Sequence, residues 1–216
     1  MHIPDGYLSL ATSAAAYAAS GGAIAYAARR ANAELGERQV PLVGVSAAFI
    51  FAAQMLNFTV VAGTSGHLLG GALAAILLGP WTGMLVMTSV LAVQALVFQD
   101  GGLLALGANA LNMAVVGVLV GYAVYQGLSR VLGRGRLGTW ASGAAAGWLS
   151  VVVASLLAAV ELAASGAAAW GAVVPLMVGT HALIGIGEGL ITVGVLGFLS
   201  LARPDLLWRR AGTEVR

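Results

Sequence analysis

The sequence predicts an all-α integral membrane protein of about seven transmembrane helices, and three observations carry that prediction. The 216 residues are 60% apolar and only 8% charged, with a mean hydropathy of +0.94, whereas ordinary soluble domains carry roughly 25% charged residues. The apolar residues come in long runs, and short breaks hold the few charges. All ten basic residues are arginines, and they fall in three regions of the chain.

The runs cover residues 8–28, 40–62, 65–78, 81–98, 103–128, 137–163 and 171–201. A helix needs about 20 apolar residues to cross a bilayer. The first run, 8–28, is too long for a signal-peptide core and lacks a convincing small-residue cleavage site, so Met1 is expected to stay on the mature chain. The third run is short. It lies between "GTSGH" and "LGP", breaks that invite a tilted or re-entrant start. The remaining runs are long enough to span, and 31 glycines suit close packing of transmembrane backbones. Small-residue pairs such as Ala48/Ala52, Gly117/Gly121 and Gly143/Gly147 are candidate helix contacts, chiefly within the bundle.

The arginines set the orientation. Arg29, Arg30 and Arg38 separate the first two runs; Arg130, Arg134 and Arg136 separate the fifth and sixth; Arg203, Arg209, Arg210 and Arg216 follow the seventh. Seven spans with the N-terminus extracytoplasmic and the C-terminus cytoplasmic put every arginine inside, as the positive-inside bias requires. Six spans would put one cluster on the wrong side. The sequence pI of about 9.4 then reflects anchoring at a cytoplasmic membrane face, with no nucleic acid partner implied. The whole chain, 1–216, reads as one transmembrane domain embedded in lipid.

Composition also excludes chemistry. There is no cysteine, hence no disulfide, thiolate metal site or iron–sulfur cluster. There is no lysine, hence no P-loop lysine and no Schiff base. Any ATP that powers this protein is hydrolysed by another subunit, and the chain itself reads as no enzyme.

The chain opens "MHIPDGYLS". Imidazole is too large a second side chain for methionine aminopeptidase, so the mature protein starts with the Met1 amine followed by His2. That amine, the His2 amide nitrogen and His2 Nδ1 can close adjoining five- and six-membered chelate rings around one ion. Three nitrogens then lie in a plane with one position open, an arrangement that suits Ni²⁺ or Cu²⁺, allows Co²⁺ and disfavours tetrahedral Zn²⁺. Pro4 fixes the chain direction and Asp5-Gly6 supplies a turn, so residues 1–7 form a strap aimed back into the bundle. The fourth donor comes from one of two other histidines. His67 follows the outer break "VAGTSG", a depth the strap reaches. His181 lies about a third of the way into the seventh run, with Glu188 two turns deeper on the same face. Of the two, His67 is the better placed. His181 and Glu188 are costly in hydrocarbon without partners, which makes them structural or coupling residues.

Long segments carry a family resemblance: "MHIPDGYLS", "FAAQMLNFTVVAGTSGHLLGGALAAILLGPW", "VQALVFQDGGLLALGANALNMAVVG" and "HALIGIGEGLIT". Together they cover essentially the whole chain. It resembles the CbiM/NikM family, the substrate-binding components of energy-coupling-factor ABC transporters for cobalt and nickel in prokaryotic cell membranes. The resemblance implies a seven-helix bundle with the N-terminal segment folded into its core. It also implies metal coordination by the Met1 amine, the His2 amide and imidazole, and the imidazole of His67. The metal is cargo, and no cofactor is implied. The implied partners are a membrane-embedded T component, two cytoplasmic ATPases and a small accessory membrane subunit, here a separate chain. "PDG" after "MHI" is similar to nickel-type members, with "MEG" the cobalt-type counterpart, which leans the reading to nickel.

Polar residues near the outer ends of the runs (Gln54, Asn57, Thr64, Ser65, Gln94, Asn109) are candidates to hold His67 in one tautomer, with Asn57, Ser65 and Gln94 foremost. A competing reading pairs Ser65 of "GTSGH" with His181 as the dyad of a rhomboid-like intramembrane serine protease, but it leaves "MHIPDG" unused. A secondary ion-coupled transporter would want more buried carboxylates and an internal repeat.

Overall fold

The computed structural model describes residues 1–36, 39–56, 58–59, 65–133 and 135–203, with 58, 59 and 65 described by backbone only. Arg38, Asn57, Thr64, Arg134, Arg209, Arg210 and Arg216 lie outside the described residues.

The described residues are nearly all helical. Helix α1, Leu10–Glu34, starts where Ser9 Oγ accepts the Thr12 amide at 3.2 Å, an N-cap. It runs beyond the predicted 8–28 to take in Arg29 and Arg30, the latter paired to Glu34 one turn on at 2.9 Å. Helix α2, Val40–Gln54, has Pro41 in its first turn, where a missing amide costs nothing. A two-residue antiparallel pair follows, β1 Phe58–Thr59 against β2 Ser65–Gly66.

Helix α3, Gly71–Val97, is broken at Gly79, whose φ of 79° and ψ of 165° no helix contains; Pro80 follows and cannot close the ladder. The break is a reversal. A Cβ placed on Gly83 would stand 3.0 Å from Ala74 C and from Ala75 N, whereas a continuous helix would separate those positions by about 12 Å. The predicted runs 65–78 and 81–98 are therefore the two arms of a tight helical hairpin. The first arm is helical only over 71–78, too short to cross a bilayer, and every residue of it is buried. It forms the axis of the bundle. Tyr26 meets Trp81 and Phe51 meets Phe98, so α1 and α2 flank the two ends of the second arm.

Helix α4, Leu106–Val131, contains a π-helical stretch at Ala110–Val116. Helices α5, Arg136–Ala164, and α6, Trp170–Ala202, run antiparallel, with Gly147 against Gly189 and Gly143 against Leu196. Gly117 and Gly121 pack on Leu69 and Ala72 of the central arm. Those two small-residue pairs serve packing inside the bundle, while Ala48 and Ala52 face outward from α2. Among the described residues four helices are by length and composition apolar enough to span a membrane: α3 (counted across its break at Gly79), α4, α5 and α6; α2 is a shorter apolar helix.

The two ends of the bundle differ. Arg29, Arg30, Arg130, Arg136 and Arg203 sit at helix ends remote from the N-terminal strap, since α1 and α4 run away from it, α5 returns and α6 descends again. Arg136 stacks over Trp140 with its guanidinium carbon 4.5 Å from the ring centre.

Candidate metal centre

Residues 1–5 enter the end of the bundle opposite the arginines. Ile3 is the anchor: it is buried among Ala16, Ala105, Ala108, Ala158, Val173 and Met177. Its backbone is read twice by one side chain, with the Ile3 amide donating to Asn109 Oδ1 at 2.8 Å and Asn109 Nδ2 donating to the Ile3 carbonyl at 3.0 Å. The Gly102 amide adds a bond to the same carbonyl at 2.9 Å. Asp5 does more than turn the chain. Its carboxylate accepts the amides of Leu103, Leu104 and Ala105 at 3.0, 2.7 and 3.3 Å, just ahead of α4, where unpaired N–H groups and the helix dipole favour an anion. A Cβ on Gly102 would overlap Asp5, so this close approach requires glycine.

Pinned in this way, the strap buries Met1, which is 5% exposed. Burial lowers the Met1 amine from 8.0 to about 5, with the Asp100 carboxylate opposing the shift. The amine is thus neutral at pH 7. His2 stands beside His67, ring centroids 4.7 Å apart and planes at 78°. Burial, then the neighbouring Met1 amine, lowers His2; Asp100 works the other way. Burial likewise holds His67 well below its ordinary value, reinforced by the Met1 amine, His2 and His181.

Each imidazole has a fixed hydrogen-bond partner on Nδ1. His2 Nδ1 donates to the Asp100 carbonyl at 3.0 Å, with Asp100 Oδ1 at 3.5 Å. His67 Nδ1 donates to the Leu68 carbonyl at 2.7 Å, and His181 Nδ1 to the Met177 carbonyl at 2.8 Å. The three Nε2 atoms are buried and meet no hydrogen-bond partner among the described residues. Buried polar atoms are seldom left so. Imidazole nitrogens with the tautomer set from behind are what a metal ion recruits.

Several site expectations need correcting. Gln94 does not hold the His67 tautomer: it is fully buried, with neither amide atom partnered among the described residues, and the adjacent Leu68 carbonyl is the nearer acceptor. Gln54 binds the Leu69 carbonyl at 2.6 Å, and Asn109 serves the strap. The Ser65 side chain and Asn57 lie outside the described residues. His2 Nδ1, the nitrogen that a chelate through the His2 amide needs, is turned to Asp100, so closing that chelate means rotating the ring off this acceptor. His181 is less remote than its place in the seventh run suggests. Glu188, two turns along α6, holds the amides of Leu69 and Gly70, and His181 is close enough to His67 to help lower it.

Asp5, Asp100 and Asn109 are the residues whose roles sequence reasoning missed. Asp100 in "QDGG" was the most legible of them, as an acidic group in an outer break of an acid-poor chain. Among the described residues no three His, Asp or Glu side chains cluster closely enough to hold a metal by themselves. The sequence expectation of a donor set that includes the terminal amine and a backbone nitrogen does not require such a cluster.

The chain is similar to known proteins along nearly its whole length. The family described as "Cobalt uptake substrate-specific transmembrane region" (CbiM) matches residues 2–206. A protein of Haloquadratum walsbyi named for metal transport is 46% identical over 96% of this chain and 94% of its own. A protein of Archaeoglobus fulgidus named as a fused nickel transport protein, NikMN, is 45% identical over 98% of this chain and 69% of its own. The crystal structure of a truncated transition metal transporter superposes with a TM-score of 0.85 at 34% identity, covering 93% of this chain and 98% of that one. With whole-length matches at these identities, the chain belongs to the CbiM family of cobalt-uptake transmembrane components.

Proposed function

We propose that this protein is the substrate-capturing membrane component of an energy-coupling-factor transporter, taking Ni²⁺ or Co²⁺, with nickel preferred, from outside the cell. The observation that carries the reading is the Met1 amine, neutral through burial, gathered with the imidazoles of His2 and His67; the Nε2 of His67 is buried and unpartnered among the described residues, and the His2 ring presents Nδ1 to the chelate by turning off the Asp100 carbonyl. Amine, amide and His2 imidazole occupy three positions of a square plane; His67 takes the fourth, cis to the His2 ring. Two imidazoles bound cis at metal–nitrogen distances of about 2 Å have ring centres roughly 4.5 Å apart, and the observed 4.7 Å supports that arrangement. Nickel is favoured because planar nitrogen donors suit it and because the Archaeoglobus relative is named for nickel.

The strap end faces outside and the arginine end the cytoplasm, in keeping with the positive-inside bias. A membrane-embedded T component, two cytoplasmic ATPases and a small accessory membrane subunit complete the transporter. ATP hydrolysed by those partners rocks the bundle, so that the closed site opens inward. Metal analysis tests the reading: protein with a C-terminal tag, purified from cells grown with nickel and cobalt together, carries about one nickel per chain by mass spectrometry. A preparation devoid of both metals, in which neither binds on titration, would refute it.

A further inference from the structure

The run from His67 to Gly70 joins β2 to α3 and is gripped from two sides. Gln54 on α2 donates to the Leu69 carbonyl at 2.6 Å. Glu188 on α6 accepts the Leu69 amide on one oxygen at 2.8 Å and the Gly70 amide on the other at 2.7 Å. Both side chains are buried, Gln54 fully and Glu188 to 1% exposure. An ionisable group this deep in a membrane protein is costly unless it is paired. Two backbone N–H bonds at the start of a helix, where unpaired amides and the helix dipole point at the carboxylate, are strong compensation. Gly70 completes the fit. Its φ is 78°, and a Cβ there would stand 2.8 Å from Ile50 Cγ2, so the turn is locked against α2.

Resting on the reading that His67 is a metal donor, we propose that Glu188 is the positioning residue of the metal centre: by gripping the amides two and three residues beyond His67, it fixes where that imidazole stands without touching the ion itself. The grip is directional. A carboxylate offers one acceptor oxygen to each amide. The Gln amide that replaces it offers one oxygen and one NH₂, and the NH₂ opposes an N–H. Loosening the loop moves His67 out of the donor plane, so the effect should be read at the metal as well as in stability.

The test compares C-terminally tagged wild type, Glu188→Gln and Glu188→Asp, each titrated with Ni²⁺ in detergent while the visible absorption of the nickel complex is recorded. Glu161→Gln is the control. Glu161 is a second buried carboxylate, held by Asn112 Nδ2 at 2.6 Å between α5 and α4, whereas the Leu69 and Gly70 amides bond to Glu188. Glu188→Gln should weaken Ni²⁺ binding at least about tenfold and shift the nickel absorption band. Glu188→Asp, which keeps both acceptors on a shorter stem, should fall between Gln and wild type. Glu161→Gln should bind as wild type does. Wild-type affinity and an unshifted band in Glu188→Gln would overturn the proposal, as would an equal loss in Glu161→Gln, which would mark a general loss of stability. If Glu188→Gln does not give monodisperse protein, Glu188→Asp decides: weaker binding with a shifted band supports the role, and wild-type behaviour overturns it. Absence of Ni²⁺ binding by wild type would instead remove the metal reading of His67 on which the proposal rests.

Discussion

His2 and His67 meet edge to face at 4.7 Å between ring centroids, one ring carried by the N-terminal strap and the other by the loop ahead of the central arm. Neither segment would hold its ring there alone. The strap depends on Asn109, Gly102 and the amides that Asp5 caps; the loop depends on Gln54 and Glu188. The proposed metal centre is therefore a junction, and it should be sensitive to residues that never reach the ion.

Asn109→Ala removes both side-chain bonds to Ile3 and leaves the Ile3 amide buried without that acceptor. The cost should be about 2–3 kcal/mol, charged mainly against strap insertion. Nickel affinity should fall by at least about tenfold, with the thermal midpoint of the bundle changing little. Titration and melting of the same preparation check this; unchanged affinity would separate the strap from metal binding.

Gly102→Ala tests the same junction by crowding. The added methyl overlaps Asp5 and should push the strap off the α4 amides, so Met1 becomes accessible to amine-reactive reagents. Gly36→Ala, where an added Cβ meets nothing within 4 Å, serves as the silent control. Equal labelling of Met1 in the two variants would show that the strap tolerates the crowding.

How much of this was legible beforehand depends on the distance over which partners act. The apolar runs and the arginine clusters marked the helices, and "LGP" marked the hairpin break, because a Gly-Pro pair stops a helix locally. His2 stood out because an amine next to a histidine is chemistry written in consecutive residues, and His67 because it follows an outer break; the structure adds that the two rings meet. The strap's receptors were not: Asn109 and the amides of Leu103, Leu104 and Ala105 lie about a hundred positions from the residues they bind. Nothing local to "GANA" or "LLA" says what will dock there. The late helical start at Gly71, beyond the predicted 65, has the same origin. Glu188, far along the chain, takes the amides of Leu69 and Gly70 and holds the run before the helix in place.

The pH dependence follows from the buried donors. A released Met1 amine protonates below 8.0, but the inserted one only below about 5. Strap insertion is therefore unopposed above that window and weakens as pH falls through it. Above about 5 the inserted amine is neutral, so the proton that binding displaces is that of the His2 amide; His2 and His67, lowered chiefly by burial, hold protons less readily than exposed imidazoles do. Apparent nickel affinity should then fall about tenfold per unit between roughly pH 8 and 6, and more steeply near 5 and below. Calorimetric titrations across that range read the slope directly; about a hundredfold per unit would mean the amine is solvent-exposed and protonated.

The Met1 amine is the proposed donor on which the whole account turns, and tagging addresses it most directly. A tag ahead of Met1 turns that amine into a peptide nitrogen while leaving His2, His67, His181 and every helix intact; a tag after Arg216 leaves the amine free. Nickel and cobalt occupancy of the two purified forms should differ sharply, near one ion per chain with the C-terminal tag and near none with the N-terminal tag, although both insert and melt alike. Equal occupancy would contradict the account, because it would show that the Met1 amine holds no metal.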